Sequence, residues 1–457
     1  MDTLNGKRLV ILGMARQGTA LARFAVGAGA HVTISDLRPA EALLGPDTNA
    51  WAAGLPADRL RFVLGEHPLS LLDNCDLLAI SGGVSIDAPL VVEAQRRGIP
   101  LTNDSIEFAR RAPAPLVGIT GSAGKTTTTA LVGRMGQMSG RRTWVGGNIG
   151  RPLISDLAEM SAGDLIIMEL SSFQLEIWED LSPAIAAVLN ITPNHLDRHK
   201  SMDRYTAAKA NILRHQGPEG VAVLSADDPG ALGLREEARG RLRLFSRRGP
   251  VEDGAFVDGG HSHNYIWLSG PEGQRALCAV GDIRLRGGHN VLNVLAAAAL
   301  AEAVGVPDAA IVEGISTFAG VPHRLETVRE LDGVKYINDS IATAPERALA
   351  ALAADDEPII PLAGGRDKNM VWDEWARQVA QRVKRVVLFG ELAEPLAERL
   401  RGITTIRVET LAEAVYVAQA EAAAGDIVLL SPGGTSFDSY SDFAERGEHF
   451  RLLVGEL

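Results

Sequence analysis

The stretch Thr120-Gly121-Ser122-Ala123-Gly124-Lys125-Thr126-Thr127 stands between a short apolar run at 116–119 and a helical segment that begins near Lys125. A strand, a glycine-rich turn and a helix in this order are typical of a phosphate-binding loop, because backbone N–H groups and the helix N-terminus converge on phosphate oxygens. Lys125 would reach the β- and γ-phosphates, and the Thr126 hydroxyl would help to hold Mg²⁺. The sequence therefore predicts an ATP site at 121–127. The loop is shorter than in most GTPases and ATPases, since Ile119 stands where their first glycine would be.

On both sides of this loop, short apolar runs alternate with helical segments, which is the pattern of α/β domains with largely parallel sheets. A proline-rich break near 111–115 and a second break near 318–322 divide the chain into three blocks. We expect three domains: a Rossmann-like domain at 1–112, a central phosphate-loop ATPase-type domain with a parallel or mixed sheet at 113–319, and a C-terminal Rossmann-like domain at 320–457.

The composition excludes several classes of function. The 457 residues carry a formal net charge of -12, and a surface of that sign does not suit bulk binding of nucleic acid. No run of about 20 apolar residues suggests a membrane span, and residues 1–6 lack the basic and apolar pattern of a signal peptide. Cys75 and Cys278 lie far apart, without metal-type spacing. We expect a cytoplasmic monomer that binds neither nucleic acid nor membrane.

Several further blocks follow the loop in a fixed order. They are Gly146-Gly147-Asn148-Ile149-Gly150, Glu169-Leu170-Ser171-Ser172-Phe173-Gln174-Leu175, Asn190-Ile191-Thr192-Pro193-Asn194-His195-Leu196-Asp197, Tyr205-Thr206-Ala207-Ala208-Lys209, His289-Asn290 with Asn293, Pro322-His323-Arg324, Asn338-Asp339-Ser340 and Ser431-Pro432. Together with the short loop, this set resembles the Mur ligase family, whose relatives include the folylpolyglutamate synthetases. The resemblance covers nearly the whole chain. The block at 146–150 and the block at 169–175 are most similar to the branch that adds D-glutamate to UDP-N-acetylmuramoyl-L-alanine in peptidoglycan synthesis.

The resemblance implies an ATP-dependent, ADP-forming ligase that works through an acyl phosphate and uses ATP and two Mg²⁺ ions. It assigns the metal ions to Thr126, Glu169, His195 and a carbamylated Lys209. The residues implied as catalytic are Lys125, Glu169, His195, Lys209, Arg324 and Asp339. Nucleotide contacts are implied for the loop and for Asn290, Asn293, Arg324 and Asp339. Taken alone, a strand-end glutamate is more often a solvated cap, and a lone histidine is usually structural, so these roles depend on the family.

The first domain carries Gly13-Met14-Ala15-Arg16-Gln17-Gly18 after its first strand, and Asp36 ends the second strand. Taken alone, this degenerate dinucleotide motif favours a NAD-dependent oxidoreductase, although Ala15 would crowd a pyrophosphate. The resemblance implies instead that the domain binds the UDP-linked substrate. The residues implied are Arg16, Gln17, Asp36, Arg38, Ser81, Gly82 and Gly83, joined by Asn148, Ser171 and Gln174 from the central domain.

For the amino acid that is added, the resemblance implies a site in the third domain. Its members would be Thr343, Lys368, Ser436, Phe437 and Phe443, where a cation and two hydroxyls suit a carboxylate. The chain departs from the family at Ile341, where a lysine is common. One positive charge is therefore missing, and addition of L-glutamate or of another amino acid stays an alternative. A non-catalytic nucleotide-binding protein is a third class, and it predicts ATP binding without turnover that depends on an amino acid.

Overall fold

The computed structural model describes residues 2–56, 58–260, 263–285, 287–352, 357–367, 370–383 and 385–457, and no side chain is described at 46, 47, 260 and 263. The predicted mixed α/β class is confirmed, with three separate sheets of five, nine and six strands. Contacts divide the chain into two compact units, 1–283 with 289–317 and 284–288 with 318–457. Within the described residues, no helix has the length and apolar character that a membrane crossing requires.

The first sheet is parallel throughout, with strand order β3-β2-β1-β4-β5. Its strands are β1 (Arg8–Leu12), β2 (His31–Asp36), β3 (Leu60–Leu64), β4 (Leu77–Ile80) and β5 (Leu101–Thr102). The helices are α1 (Arg16–Gly27), α2 (Pro46–Ala53), α3 (Pro89–Arg96) and α4 (Asp104–Ala109). The strand order reverses between β1 and β4, and in open parallel sheets ligands bind at the carboxyl ends of the strands beside such a reversal.

The second sheet has the order β14-β13-β12-β11-β10-β9-β6-β8-β7, with β6 and β8 beside each other. Its strands are β6 (Leu116–Thr120), β7 (Thr143–Gly147), β8 (Leu165–Glu169), β9 (Ile185–Val188), β10 (Val221–Ser225), β11 (Arg241–Ser246), β12 (Gly254–Gly260), β13 (His263–Gly270) and β14 (Gly273–Ala279). The helices are α5 (Lys125–Met138), α6 (Ser172–Leu175), α7 (Leu196–His199), α8 (Met202–Arg214), α9 (Pro229–Leu232), α10 (Gly288–Ala303) and α11 (Asp308–Thr317). Only the β12-β13-β14 end is antiparallel, so the sheet is mixed, as predicted.

The first two sheets belong to one unit because a single cluster of buried apolar residues runs through both. It extends from Leu9 and Ile34 of the first sheet to Ile166 and Val188 of the second. The strands β6, β8 and β9 are buried along their whole length, as expected of parallel strands covered on both faces. The loops at their carboxyl ends therefore stand on a rigid support.

The third sheet forms the second unit, with the order β15-β16-β20-β17-β18-β19. Its strands are β15 (Glu326–Leu331), β16 (Val334–Asn338), β17 (Ile359–Gly364), β18 (Arg385–Phe389), β19 (Thr404–Arg407) and β20 (Ile427–Gly433). The helices are α12 (Pro345–Leu352), α13 (Asp373–Arg382), α14 (Ala393–Arg399), α15 (Leu411–Glu421) and α16 (Phe443–Glu456). Apart from the antiparallel β15-β16 pair, the strands are parallel, and the sheet carries apolar clusters on two sides.

Candidate active site

The predicted phosphate loop joins β6 to α5, and α5 begins at Lys125. Gly124 precedes the helix with φ of 82°, a left-handed conformation that glycine adopts without strain. The Lys125 ammonium donates to the carbonyl oxygens of Gly121 at 2.8 Å and Ser122 at 3.3 Å. The lysine therefore lies folded back on its own loop, where its charge is held beside the backbone that would face phosphate.

Two residues that the sequence did not single out hold the loop in shape. The Asn190 side chain accepts from the Ala123 N–H at 2.8 Å and donates to the Ala123 carbonyl at 3.2 Å. The Ser122 and Tyr205 hydroxyls lie 2.9 Å apart, and Ser122 also bonds the backbone of Thr192. Sequence signals for both existed, since Asn190 opens one of the blocks and Tyr205 lies one helical turn before Lys209.

Glu169 ends β8 and faces the loop, because Ile119 of β6 lies opposite it in the register. One carboxylate oxygen accepts from the Thr126 hydroxyl at 2.8 Å, and the other accepts from the Asn148 amide at 3.0 Å. The side chain is 2% exposed. Two of the predicted metal ligands are thus in contact, and Asn148, predicted for the substrate, holds one of them.

Lys209 lies on α8 and is only 1% exposed. Its ammonium nitrogen donates to the Thr120 hydroxyl at 3.2 Å and to the Gly121 carbonyl at 3.0 Å, and it lies 4.8 Å from the centre of the Tyr205 ring. Burial, followed by the charge of Lys125, holds the pKa of Lys209 well below its usual value. A lowered pKa favours the neutral amine, which is the form that reacts with CO₂ to give a carbamate.

His195 precedes α7 and is exposed, with φ of 53°. Its ring centre lies 5.0 Å from that of Phe173. Partial burial and then the charge of Lys125 lower the pKa of His195, so its imidazole is neutral and able to coordinate a cation near neutral pH.

The donor set fits Mg²⁺ only with help from the substrates. Across the described ranges, no three His, Cys, Asp or Glu side chains come together as a metal site. The protein offers the Thr126 hydroxyl, the Glu169 carboxylate and the His195 imidazole, and Mg²⁺ in nucleotide sites takes one or two carboxylates together with phosphate oxygens and water. A carbamate on Lys209 would add the anionic oxygen that the unmodified lysine lacks.

The His195 segment is tied to the first sheet by Arg198. The Arg198 guanidinium lies 3.9 Å from the centre of the Phe173 ring and donates to the carbonyl oxygens of Gly82 at 2.6 Å and Val84 at 2.5 Å. His199 stacks on Phe173 with ring centres 5.1 Å apart. The loop predicted to bind UDP and the loop predicted to bind metal are therefore braced against each other.

The residues predicted for the UDP end gather at the carboxyl ends of β1, β2 and β4. Asp36 accepts from the Met14 N–H at 2.7 Å and forms an ion pair with Arg38, whose hydrogen bond is the main cause of the lowered pKa of Asp36. Ser81 donates to the Gly13 carbonyl at 3.1 Å. The remaining predicted residues lie at the start of α1 and after β4, and they are Arg16, Gln17, Gly82 and Gly83. The geometry thus brings the predicted set together beside the strand reversal.

Ser171 and Gln174 were predicted to contact the substrate, and the structure uses both to begin α6. They form a reciprocal capping box, in which Ser171 accepts from the Gln174 N–H at 3.2 Å and Gln174 accepts from the Ser171 N–H at 3.1 Å. The Gln174 carbonyl also accepts from the Asn103 amide of the first sheet. Both residues therefore have a structural role whether or not they contact substrate.

Asn290 and Asn293 lie in the first two turns of α10, and their side chains bond each other at 2.8 Å. A Cβ atom at Gly124 would collide with the Asn293 side-chain oxygen. The start of α10 therefore packs directly against the phosphate loop. This placement agrees with a role beside the nucleotide.

In the second unit, Asp339 follows β16 and is buried. It accepts from the Ser431 hydroxyl at 3.1 Å and from the Leu325 N–H at 3.2 Å. Burial raises the pKa of Asp339 to about 7. Arg324 is exposed, and its charge acts on Asp339. Arg324 and Asp339, which were both predicted to contact the nucleotide, therefore lie on neighbouring loops.

The predicted amino-acid residues of this unit differ in exposure. Ser436 is buried, Thr343 and Phe443 are half-buried, and Phe437 is 53% exposed. Lys368 lies outside the described residues. Ile341, where the family commonly has a lysine, is half-buried and donates its backbone N–H to the His323 carbonyl.

Known proteins match this chain along almost its whole length. Residues 7–103 match the Mur ligase MurD-like N-terminal domain, 119–301 match the Mur ligase middle domain, and 323–434 match the Mur ligase glutamate ligase domain. The chain is 41% identical to a UDP-N-acetylmuramoylalanine–D-glutamate ligase of Symbiobacterium thermophilum, covering 99% of this chain and 98% of that one. It is 40% identical to the protein of the same name from Pelotomaculum thermopropionicum, covering 98% and 97%.

Solved structures show the same fold at lower identity. A UDP-N-acetylmuramate–alanine ligase of Thermotoga maritima aligns with a TM-score of 0.58 at 20% identity, covering 98% of this chain and 99% of that one. A MurF ligase of the same organism, in complex with ADP, aligns with a TM-score of 0.55 at 18% identity, covering all of both chains. These structures support a mixed α/β architecture with three sheets.

Proposed function

This chain belongs to the Mur ligase family, and from that premise we propose that it joins D-glutamate to UDP-N-acetylmuramoyl-L-alanine and converts ATP to ADP and phosphate as the amide bond forms. The observation that carries the proposal is the sequence identity of 41% and 40%, over almost the whole chain, to two UDP-N-acetylmuramoylalanine–D-glutamate ligases. The contact between Thr126 and Glu169 beside the phosphate loop supports it, because a ligase that activates a carboxylate needs a cation site next to the γ-phosphate.

The phosphate loop would hold the nucleotide through its backbone N–H groups, with Lys125 turning from the Gly121 and Ser122 carbonyls to the β- and γ-phosphates. Asn290 and Asn293 support the loop from α10. Thr126, Glu169, His195 and carbamylated Lys209 would hold two Mg²⁺ ions. When bound, these ions neutralise the charge on the transferring phosphoryl group.

The chemistry proposed for the chain has two steps. An oxygen of the alanyl carboxylate attacks the γ-phosphorus, so that a new O–P bond forms and the bond to the ADP oxygen breaks. The glutamate nitrogen then attacks the acyl carbon, gives up a proton, and phosphate leaves as the amide forms. Lys125 stabilises the charge on the phosphoryl oxygens.

The substrate would extend from the first sheet to the second. Its UDP end would contact Arg16, Gln17, the Asp36–Arg38 pair and the loop 81–83, and its sugar and alanyl end would lie near Asn148, Ser171 and Gln174. Arg198 supports this division, because it braces the loop 81–83 against the His195 segment.

Glutamate would bind in the C-terminal domain through Thr343, Lys368, Ser436, Phe437 and Phe443, with Arg324 and Asp339 contacting the nucleotide from the same side. The three functional domains proposed are 1–112, 113–319 and 320–457. A monomeric state and a cytoplasmic location stay predictions from the sequence.

Three alternatives differ from this proposal in the amino acid or in the reaction. Because Ile341 replaces a lysine that is common in the family, addition of L-glutamate is the first alternative. The second is addition of another amino acid that members of the family use. The NAD-dependent oxidoreductase rested on the motif at 13–18 alone, and in the structure Asp36 is already paired with Arg38. Family membership over the whole chain favours the ligase.

The test is phosphate release from ATP and UDP-N-acetylmuramoyl-L-alanine, with D-glutamate and L-glutamate in parallel and Lys125→Ala as the inactive control. We expect release with D-glutamate alone. Release with L-glutamate alone would move the chain to the other branch and make the segment around Ile341 the first target for mutation. No release with either, while ATP still binds, would show that the acceptor or the amino acid is misassigned.

A further inference from the structure

We propose that Arg446 of α16 is a positioning residue for the added amino acid, because its guanidinium joins the separate segments that carry the amino-acid site. The inference rests on the proposed function and deepens it. Arg446 is not among the residues that the sequence pointed to, and its side chain is 0% exposed. It acts through backbone and hydroxyl groups, so it is not a substrate contact.

The guanidinium bonds two segments at once. Its Nε donates to the Ser340 hydroxyl at 3.0 Å, and one terminal nitrogen donates to the Ser340 carbonyl at 2.9 Å. Both terminal nitrogens lie 3.3 Å from the Gly434 carbonyl. Ser340 comes three residues before Thr343, and Gly434 comes two residues before Ser436. Arg446 therefore sets the spacing of the two segments that supply the predicted hydroxyls.

A third segment and the aromatic residue of the site converge on the same group. Gly365 approaches so closely that a Cβ atom there would lie 3.0 Å from an Arg446 terminal nitrogen. The Ser340 hydroxyl that accepts from Arg446 also donates to the Phe443 carbonyl at 2.7 Å. One side chain thus orders the β16, β17 and β20 loops and the start of α16.

Among the described residues no carboxylate forms an ion pair with Arg446, whose hydrogen bonds go to Ser340 and Gly434, and Asp438 is the acidic residue whose charge acts on it. A buried cation that lacks an ion pair is costly, and here hydrogen bonds to Ser340 and Gly434 compensate it. Burial lowers the pKa of Arg446 to about 10, so it stays charged at neutral pH. The positive charge of Arg446 would attract the carboxylates of a dicarboxylic amino acid bound beside these loops. This attraction offsets the cation missing at Ile341.

A lysine could not replace this arrangement. The planar guanidinium presents several donors in a fixed fork, whereas an ammonium group is a point charge that cannot hold the Ser340 and Gly434 carbonyls in the same geometry. Arg446→Lys therefore keeps the charge and loses the spacing. Arg329→Lys is a matched control in the same unit, because Arg329 also donates to backbone carbonyls, those of Val454 and Gly455.

The experiment measures KM for all three substrates and kcat in the full-length enzyme, using whichever glutamate enantiomer the wild type accepts. For Arg446→Lys we expect KM for glutamate to rise about tenfold or more, since several hydrogen bonds to a charged group are lost. KM for ATP and KM for the UDP substrate should stay within about twofold of the wild-type values. In Arg329→Lys, all three KM values should stay within about twofold of the wild type.

Ser340→Ala is a second variant that keeps Arg446 and removes its link to Phe443. We expect a rise of about threefold to fivefold in KM for glutamate, and this variant decides the matter if Arg446→Lys does not fold. An unchanged KM for glutamate in the folded variants, or an equal loss for all three substrates, would overturn the positioning role. Activity of the wild type tests the proposed function separately, so the two failures are distinguishable.

Discussion

Asn148→Ala tests whether the Glu169 carboxylate is a metal ligand that Asn148 orients. The Asn148 amide donates to Glu169 at 3.0 Å, and the other Glu169 oxygen is held by Thr126 at 2.8 Å. Removing the amide takes away one of these two hydrogen bonds to a carboxylate that is 2% exposed. A hydrogen bond to a charged group contributes about 1.5–3 kcal/mol, which corresponds to about a 10- to 100-fold change in an equilibrium constant.

The assay is phosphate release as a function of Mg²⁺ concentration, with ATP, the UDP substrate and glutamate saturating. We expect the Mg²⁺ concentration for half-maximal rate to rise about 10- to 100-fold in Asn148→Ala, as for other groups that orient metal ligands. Asn264→Ala is the control, because Asn264 is exposed on β13 at the antiparallel end of the sheet. An unchanged Mg²⁺ requirement together with a raised KM for the UDP substrate would refute the reasoning and make Asn148 a substrate contact.

Three further predictions concern buried polar groups. Lys209→Ala should lose about 100-fold or more in rate, with partial recovery in bicarbonate or short carboxylic acids, and full activity would remove the carbamate proposal. Because the pKa of Asp339 is raised to about 7, its contribution to stability is complete below about pH 4 and is lost as pH rises to 7. Between pH 5 and pH 8 the free energy of unfolding in urea should fall by up to about 3 kcal/mol for this reason. Asp339→Asn should abolish this difference, whereas the exposed Asp332→Asn should keep it. Tyr205→Phe removes the 2.9 Å contact with Ser122, and KM for ATP should rise about fivefold. A double variant with Ser122→Ala should lose little more than either single variant, and strict additivity in a kinetic cycle would contradict the coupling.

Much of the fold was predictable because its elements are local. The phosphate loop was placed between a strand and a helix that begins at Lys125, and both are present. The central sheet, predicted as parallel or mixed, is mixed, with the antiparallel strands β12 to β14 at one end.

The sequence by itself determined the family, the α/β class and the residues that bear chemical groups, since motif spacing and apolar periodicity are properties of short segments. Only the tertiary structure decided which groups meet. Asn148 lies beside Glu169 because β7 and β8 are neighbours, with Gly147 opposite Glu169 in the register. Arg446 lies under Ser340 and Gly434 because β16 and β20 pair, although Arg446 and Ser340 are 106 residues apart in the chain. Burial, which lowers the pKa of Lys209 and raises that of Asp339, is set by everything that packs around a side chain, so no local stretch of sequence contains it.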